Sequence, residues 1–344
     1  MFVKMEYCDF ESLIGDLKEL NTQQNYWMVR TMGGAYYGEF VRGNYVAVGY
    51  NNISLGDLRH LPETENAAKE TLKAMFHHRY PDIRNSGYPV AQLLRFTRDM
   101  QPGDVVIIPS SGAVHVAMGV VTGDMYEEGT LVIDDEHRCE FKKRRPVTWK
   151  YYGRRSVLPP ALQLMFNSRH ILSDVSNYAP YIDSVIHDCY IKDDVLNLVL
   201  RIRTQKEVSL DDFCDLKAVS SLIDDFSNKY GYGISLEDSL IMKIQMESPG
   251  WLRLSTKNIG KLLLFGLFVT ILTGGGIKCN QKDGLEIYTN GIGGAISDFL
   301  DRKADRELVE AAKRAMDSLQ IKTPEDMQPI IDILNAKNKG RHDY

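Results

Sequence analysis

The sequence predicts an α+β protein of two domains. Three observations carry this: 344 residues are too many for one ordinary core, the apolar share of 44% beside 25% charged residues is globular, and the alternation of strand-like and helix-like segments restarts past the middle of the chain. The expected boundaries are 1–155 for the first domain, 156–192 for a helical connector and 193–344 for a second α+β domain.

In the first domain, 26–31 and 45–50 (YVAVGY) have strand composition, separated by a YYGEF turn and the turn signal RGN at 42–44. Along 65–80, Ala68, Leu72, Met75 and Phe76 fall on one helical face, and 90–100 repeats the pattern until Pro102-Gly103 stops it. Residues 104–109 and 114–123 then read as a hairpin joined by SSGA, and 137–152 as a second, charged hairpin. Pro159-Pro160 opens a connecting helix.

The second half begins with 195–203, a strand or a short buried helix. An amphipathic helix capped at Ser209 follows, and then a hairpin over 239–256 that turns at Ser248-Pro249-Gly250. The run 259–277 is apolar, but its uninterrupted part, 262–272, falls short of the roughly 20 residues a bilayer crossing needs. A buried helix is expected there, with membrane insertion or partner docking as the alternative. Residues 297–321 read as one charged amphipathic helix, and a last capped helix follows.

The chemistry is more easily narrowed by exclusion. A net charge of -5 argues against broad coating of nucleic acid, yet Arg138, Lys142, Lys143, Arg144 and Arg145 concentrate positive charge in one stretch suited to a phosphate backbone. Five scattered cysteines without a CxxC pair predict reduced thiols and no metal site. With no cationic leader ahead of a long apolar run, a cytoplasmic location is expected. No P-loop, HExxH or GxSxG occurs, and the one E-x-K is Glu140-Phe141-Lys142. No catalytic residue and no cofactor is therefore predicted.

The order of motifs in the first half is more specific. W-x-VR, GG-x-YY-x-x-F, VAVGY, RF-x-x-x-M-x-PGDVV, MGVVTGDMY and a closing V-x-W resemble the EVE-like branch of the PUA superfold, especially the N-terminal modules fused to Mrr-type restriction endonucleases. The likeness covers about residues 22–172. It implies a curved sheet or pseudo-barrel with flanking helices, and a pocket that in relatives holds a base, often a modified one flipped out of nucleic acid. It also implies a role in prokaryotic antiviral defence. A flipped base needs aromatic faces and fixed polar groups. Tyr36, Tyr37, Tyr50, Asn51, Phe96 and His115 stand at strand ends and turns where these would converge, and Gly33-Gly34 allows close backbone approach.

The expected function is thus recognition of a modified base or nucleotide, in nucleic acid or free, coupled to a C-terminal response module. Homo-oligomerisation is left open. Two alternatives belong to other classes. One is a nuclease or other effector enzyme using acidic pairs at Asp193, Asp211 or Asp224, and the other is a membrane-acting effector using 259–277.

Overall fold

The computed structural model describes residues 15, 17–131, 139–168, 170–204, 209–230, 241–245, 250–274, 292–302, 305–322 and 324–327. The chain forms two compact units. One spans Gln23–Ile186, and the other joins the described residues up to Thr22 to those from His187 onward.

The first unit is a curled, mixed sheet clad by helices on both faces. Its strands are β1 (Tyr26–Val29), β2 (Tyr45–Val48), β3 (Val105–Pro109), β4 (His115–Val121), β5 (Tyr126–Glu127), β6 (Lys143–Arg154) and β7 (Leu172–Asp174). They run in the order β2-β6-β4-β3-β1-β7, with β5 also paired to β6. Curling originates in β6, whose residues 143–146 pair with β2 while 147–154 pair with β4. A bulge between Met118 and Gly119 adds to the bend. Gly119 sits against β6 so closely that a Cβ would stand 2.7 Å from the Thr148 carbonyl oxygen.

Strands of a sheet covered on both faces lose the apolar-polar alternation and become apolar throughout. β1 shows this: Trp27 and Val29 enter one core, while Tyr26 and Met28 enter the other. The same division holds along β3, where Val106 and Ile108 oppose Val105 and Ile107. The first core is closed by α1 (Tyr37–Gly43), α2 (Leu55–Arg59), α3 (Glu65–Arg79) and α4 (Gly87–Leu94), through Phe40, Leu58, Leu72, Phe76 and Leu93. The second is closed by α5 (Pro160–Gln163) and α6 (Ala179–Ile186), with Leu158, Leu162, Phe166 and Ile182. The segment expected to be a connector therefore supplies one of the two cores.

Two buried carboxylates tie β1 in place. Asp104 accepts the Trp27 indole N–H at 2.8 Å and the backbone N–H groups of Asn25 and Gln101, and Asp183 accepts the Tyr26 hydroxyl at 2.5 Å. The expected YYGEF turn is instead the start of α1. Buried Phe40 anchors this helix against the core in spite of two glycines, and Asn44 ends it in the left-handed conformation.

The second unit carries an antiparallel sheet in the order β10-β11-β9-β8, from β8 (Cys189–Lys192), β9 (Val195–Ile202), β10 (Ile241–Gln245) and β11 (Gly250–Thr256). Val195–Ile202 is thus a strand. The turn expected at 248–250 lies mostly outside the described residues. Helices α7 (Leu210–Tyr230), α8 (Ile259–Leu272), α9 (Ile292–Arg302) and α10 (Arg306–Leu319) complete the unit. The helix expected over 297–321 is two helices, because Asp305 starts a new one by accepting the Glu307 N–H. α8 is buried from Lys261 to Thr270, as an all-round apolar helix at the centre of a core should be. Among the described residues, no helix is long and apolar enough to cross a membrane. Residues 275–277 lie outside them.

Candidate functional site

β1 and β3 are parallel neighbours, so their C-terminal ends emerge side by side. Each then enters a short 3-10 turn, Met32–Gly34 after β1 and Ser111–Ala113 after β3. The two turns touch. Gly34 has φ +101°, and a Cβ on it would lie 2.1 Å from the Ser111 backbone nitrogen. No other residue type fits that position without pushing the turns apart. Thr31, buried at the root of the first turn, donates its hydroxyl to the Pro109 carbonyl at 2.6 Å and ties the two strand ends together.

Two adjoining recesses open beside this junction. The smaller, about 150 Å³, is lined by Arg30, Gly33, Gly34, Gly112, Arg155 and Phe166, among others. The larger, about 450 Å³, shares Gly112, Ala113 and Arg155 and adds Val114, His115, Arg154 and Gln163. A drug-sized ligand generally occupies about 300–1,000 Å³, so the larger recess admits a heterocycle and the smaller a compact group.

The electrostatics of this cleft are one-sided. Arg30 donates from Nη2 to the carbonyls of Phe166 (2.6 Å) and Ser168. Arg155 donates from Nε to the Gln163 side-chain oxygen at 2.8 Å and from Nη2 to the Gln163 carbonyl at 2.9 Å, and lies over the Phe166 ring at 5.1 Å. The Gln163 amide donates back to the carbonyls of Arg155 and Leu158, which fixes it as a brace. Burial first, then the neighbouring Arg155 charge, lowers the Arg30 pKa. Among the described residues, no carboxylate forms an ion pair with Arg30, Arg154 or Arg155. Two guanidiniums near each other, with no carboxylate paired to either among the described residues, give the recess a local excess of positive charge.

The residues expected to read a base are distributed differently. His115 is exposed and lines the larger recess, and Gly33-Gly34 line the smaller. Tyr36 and Tyr37 point to different neighbours. Tyr36 meets Phe141 edge-on at 5.2 Å and Phe40 at 6.3 Å. Tyr37 is half-buried, and its pKa is raised by burial first and then by the phenols of Tyr152 and Tyr151. Tyr50 leaves β2 in the left-handed conformation, φ 62°, and lies edge-on to Phe76 at 5.1 Å and Tyr80 at 5.8 Å. Asn51 clamps a neighbouring chain segment, donating to the Glu140 carbonyl at 2.7 Å and accepting the Lys142 N–H at 3.2 Å. Phe96, expected among these residues, is instead 0% exposed within the core.

The cationic stretch is also turned partly inward. Alternation along β6 turns Lys143 and Arg145 inward with Val147 and Trp149. The Lys143 ammonium donates to the carbonyls of Tyr50 and Ile53, both at 2.9 Å, and burial pushes its pKa down to about 8. Arg145 donates to the carbonyls of Phe96 and Thr97. Arg144 bonds Glu128 at 3.2 Å and covers the Tyr45 ring. Lys142 is half-buried. Arg138 lies outside the described residues. The stretch fastens the sheet to its helices, and two of its five cations are sealed from solvent.

The acidic pairs of the second half have local structural partners. Asp193 and Asp194, both at positive φ, form the tight turn between β8 and β9. Asp212 accepts the Ser209 N–H in a reciprocal cap at the start of α7. Asp224 faces Lys261 at 3.6 Å. No cluster of histidine, cysteine and carboxylate capable of holding a metal occurs among the described residues.

Arg30 closes the W-x-VR motif and is not among the site residues the sequence singles out. The available signal was the recurrence of glycine-bearing turns, GG and SSGA, each directly after an apolar strand. Residues 27–164, less than half of the chain, match the model of a family described as a domain of unknown function, DUF8426. Comparison with curated proteins and with solved structures found no match.

Proposed function

We propose that the first unit is a reader of nucleotides, recognising a base, modified or plain, in nucleic acid or free, and that the second unit carries the response. The observation that carries this reading is the cleft at the ends of β1 and β3, where arginines with no acidic partner among the described residues and an exposed histidine surround a recess of heterocycle size. Binding is favoured over catalysis because the cleft offers arginine and histidine hydrogen-bond donors, and no metal-ligand cluster occurs among the described residues. The resemblance to EVE-like modules points the same way, and a role in defence against foreign nucleic acid rests on that resemblance.

The test is a calorimetric titration of the full chain with modified and unmodified nucleosides and with short single-stranded oligonucleotides carrying them. Affinity that differs between a modified base and its plain counterpart, and that falls about tenfold on His115→Ala, supports the reading. Absence of binding to every nucleoside and oligonucleotide removes it.

A further inference from the structure

The smaller recess is too tight for a nucleoside and differs chemically from its neighbour. Its mouth joins the larger recess through Gly112, Ala113 and Arg155. Arg30 reaches it from the end of β1 and Arg155 from the end of β6, and both are held before any ligand arrives. Arg30 is fixed by two main-chain carbonyls, and Arg155 by Gln163 and the Phe166 ring. Arg30 is anchored through Nη2 alone and Arg155 through Nε and Nη2, all to neutral acceptors, and Nη1 of each has no partner among the described residues. An arginine fork oriented in advance loses little entropy on binding and matches the geometry of phosphate oxygens.

The two glycine turns line the recess beside the arginines, together with Thr31, Pro109, Ser110, Ala113 and Phe166. Gly33, Gly34 and Gly112 present no side chain, and the left-handed conformations at Gly33, Gly34, Gly112 and Ala113 keep the turns folded back from the opening. Compact volume, two cations and two glycine turns together select a small, multiply charged, oxygen-rich group over a flat apolar one.

We infer that the recess bounded by Arg30, Arg155 and the two glycine turns is a subsite for a phosphomonoester, the terminal phosphate of a nucleotide or of a strand whose end base occupies the adjoining recess. The placement of the base rests on the function proposed above; the phosphate site does not. A monoester carries up to two negative charges where an internal diester carries one, and two guanidiniums with no carboxylate partner among the described residues favour the former. The chain would then read ends or free nucleotides in preference to internal positions.

The experiment compares, on the full chain, four nucleosides with their 5′-monophosphates, a 5′-phosphorylated tetranucleotide with its 5′-hydroxyl counterpart, and inorganic phosphate against chloride at equal ionic strength. The expected result is at least tenfold tighter binding for each phosphorylated member, and a rise in melting temperature with inorganic phosphate. Arg155→Lys and Arg30→Gln, each checked for an unchanged circular dichroism spectrum, should abolish the phosphate advantage. Should either variant fail to fold, competition of inorganic phosphate with the 5′-monophosphate on the unaltered chain decides the matter. Equal affinity with and without the phosphate, or no response to inorganic phosphate, overturns the subsite. Base discrimination without a phosphate advantage keeps the reader and ends the subsite. A response to inorganic phosphate with no binding of any nucleoside or of the 5′-hydroxyl oligonucleotide keeps the subsite and ends the reader. The two strand-end arms tell whether the source is a free nucleotide or a strand terminus.

Discussion

Replacing Gly34 with alanine tests the junction on which the cleft depends, and Gly33→Ala is its internal control. Both glycines are left-handed, at φ +66° for Gly33 and φ +101° for Gly34, so each alanine incurs a backbone cost of about 1–2 kcal/mol. Beyond that the two positions part. A Cβ on Gly33 meets nothing within 4 Å, whereas one on Gly34 falls 2.1 Å from the Ser111 nitrogen and 2.3 Å from its Cα. Ordinary contact between heavy atoms begins near about 3.5 Å, so the turns must separate by more than about 1 Å. The obstacle is main chain and cannot rotate away. Separation also stretches the Thr31–Pro109 hydrogen bond, which contributes about 1 kcal/mol. The expected loss is thus about 3–4 kcal/mol for Gly34→Ala and about 1–2 kcal/mol for Gly33→Ala. Hydrogen exchange at the amides of β1 and β3 in the full chain measures both. A difference below about 0.5 kcal/mol between the two variants would refute the claim that steric contact at this junction sets the cleft.

Lys143 supplies a pH test. Its folded pKa, about 8, lies below the ordinary 10.5, so between these values the unfolded chain binds more protons. Stability should therefore rise with pH across that window, by at most about 1.4 kcal/mol per unit, until the tyrosines intervene above about pH 10. Tyr37, Tyr45 and Tyr50 have raised pKa values, so their contribution is lost as pH climbs past the unfolded tyrosine value. Urea titrations at pH 8 to 9.5 should show the rise, and Lys143→Met should flatten it; identical slopes would contradict the burial argument. Asp57 caps α2 through Ser54 and bonds Arg79, and Arg79 holds its carboxyl below the usual range. That stabilisation is present above the unfolded carboxylate value, near about pH 4, and is lost as pH falls, so Asp57→Asn should cost about 1–2 kcal/mol at neutral pH and weaken the acid dependence. Retained stability in thermal melts at pH 7 would count against it. Phe268→Asp places a carboxylate inside the core around α8 and should cost at least about 4 kcal/mol, seen as loss of cooperative melting of the second unit. Normal melting combined with loss of membrane association would restore the membrane reading of that helix.

Much of the fold is legible because burial is local in its signature. β1 and β3 are apolar at consecutive positions, which announces cover on both faces, and α8 is apolar all round, which announces a helix core. The inward turn of Lys143 and Arg145 was legible too, since they share the parity of Val147 and Trp149 in one strand; charge obscured it because a lysine is ordinarily assigned to solvent. The cleft is a different matter. Hairpin signals reveal antiparallel neighbours, but β1 and β3 are parallel, and the α1 to α4 helices and β2 intervene between them along the chain. Nothing local to Gly34 says that Ser111 will lie against it, and nothing near Arg30 says that Arg155 will share its recess. Tyr36 and Tyr37 are adjacent in sequence, yet adjacency at a helix start sends side chains apart, and the structure directs Tyr36 to Phe141 and Tyr37 toward Tyr151 and Tyr152. Residues that act together at a strand end come from separate turns. The informative pattern was therefore the repetition of a glycine turn after each of two apolar strands, with an arginine just before the first and another where β6 ends.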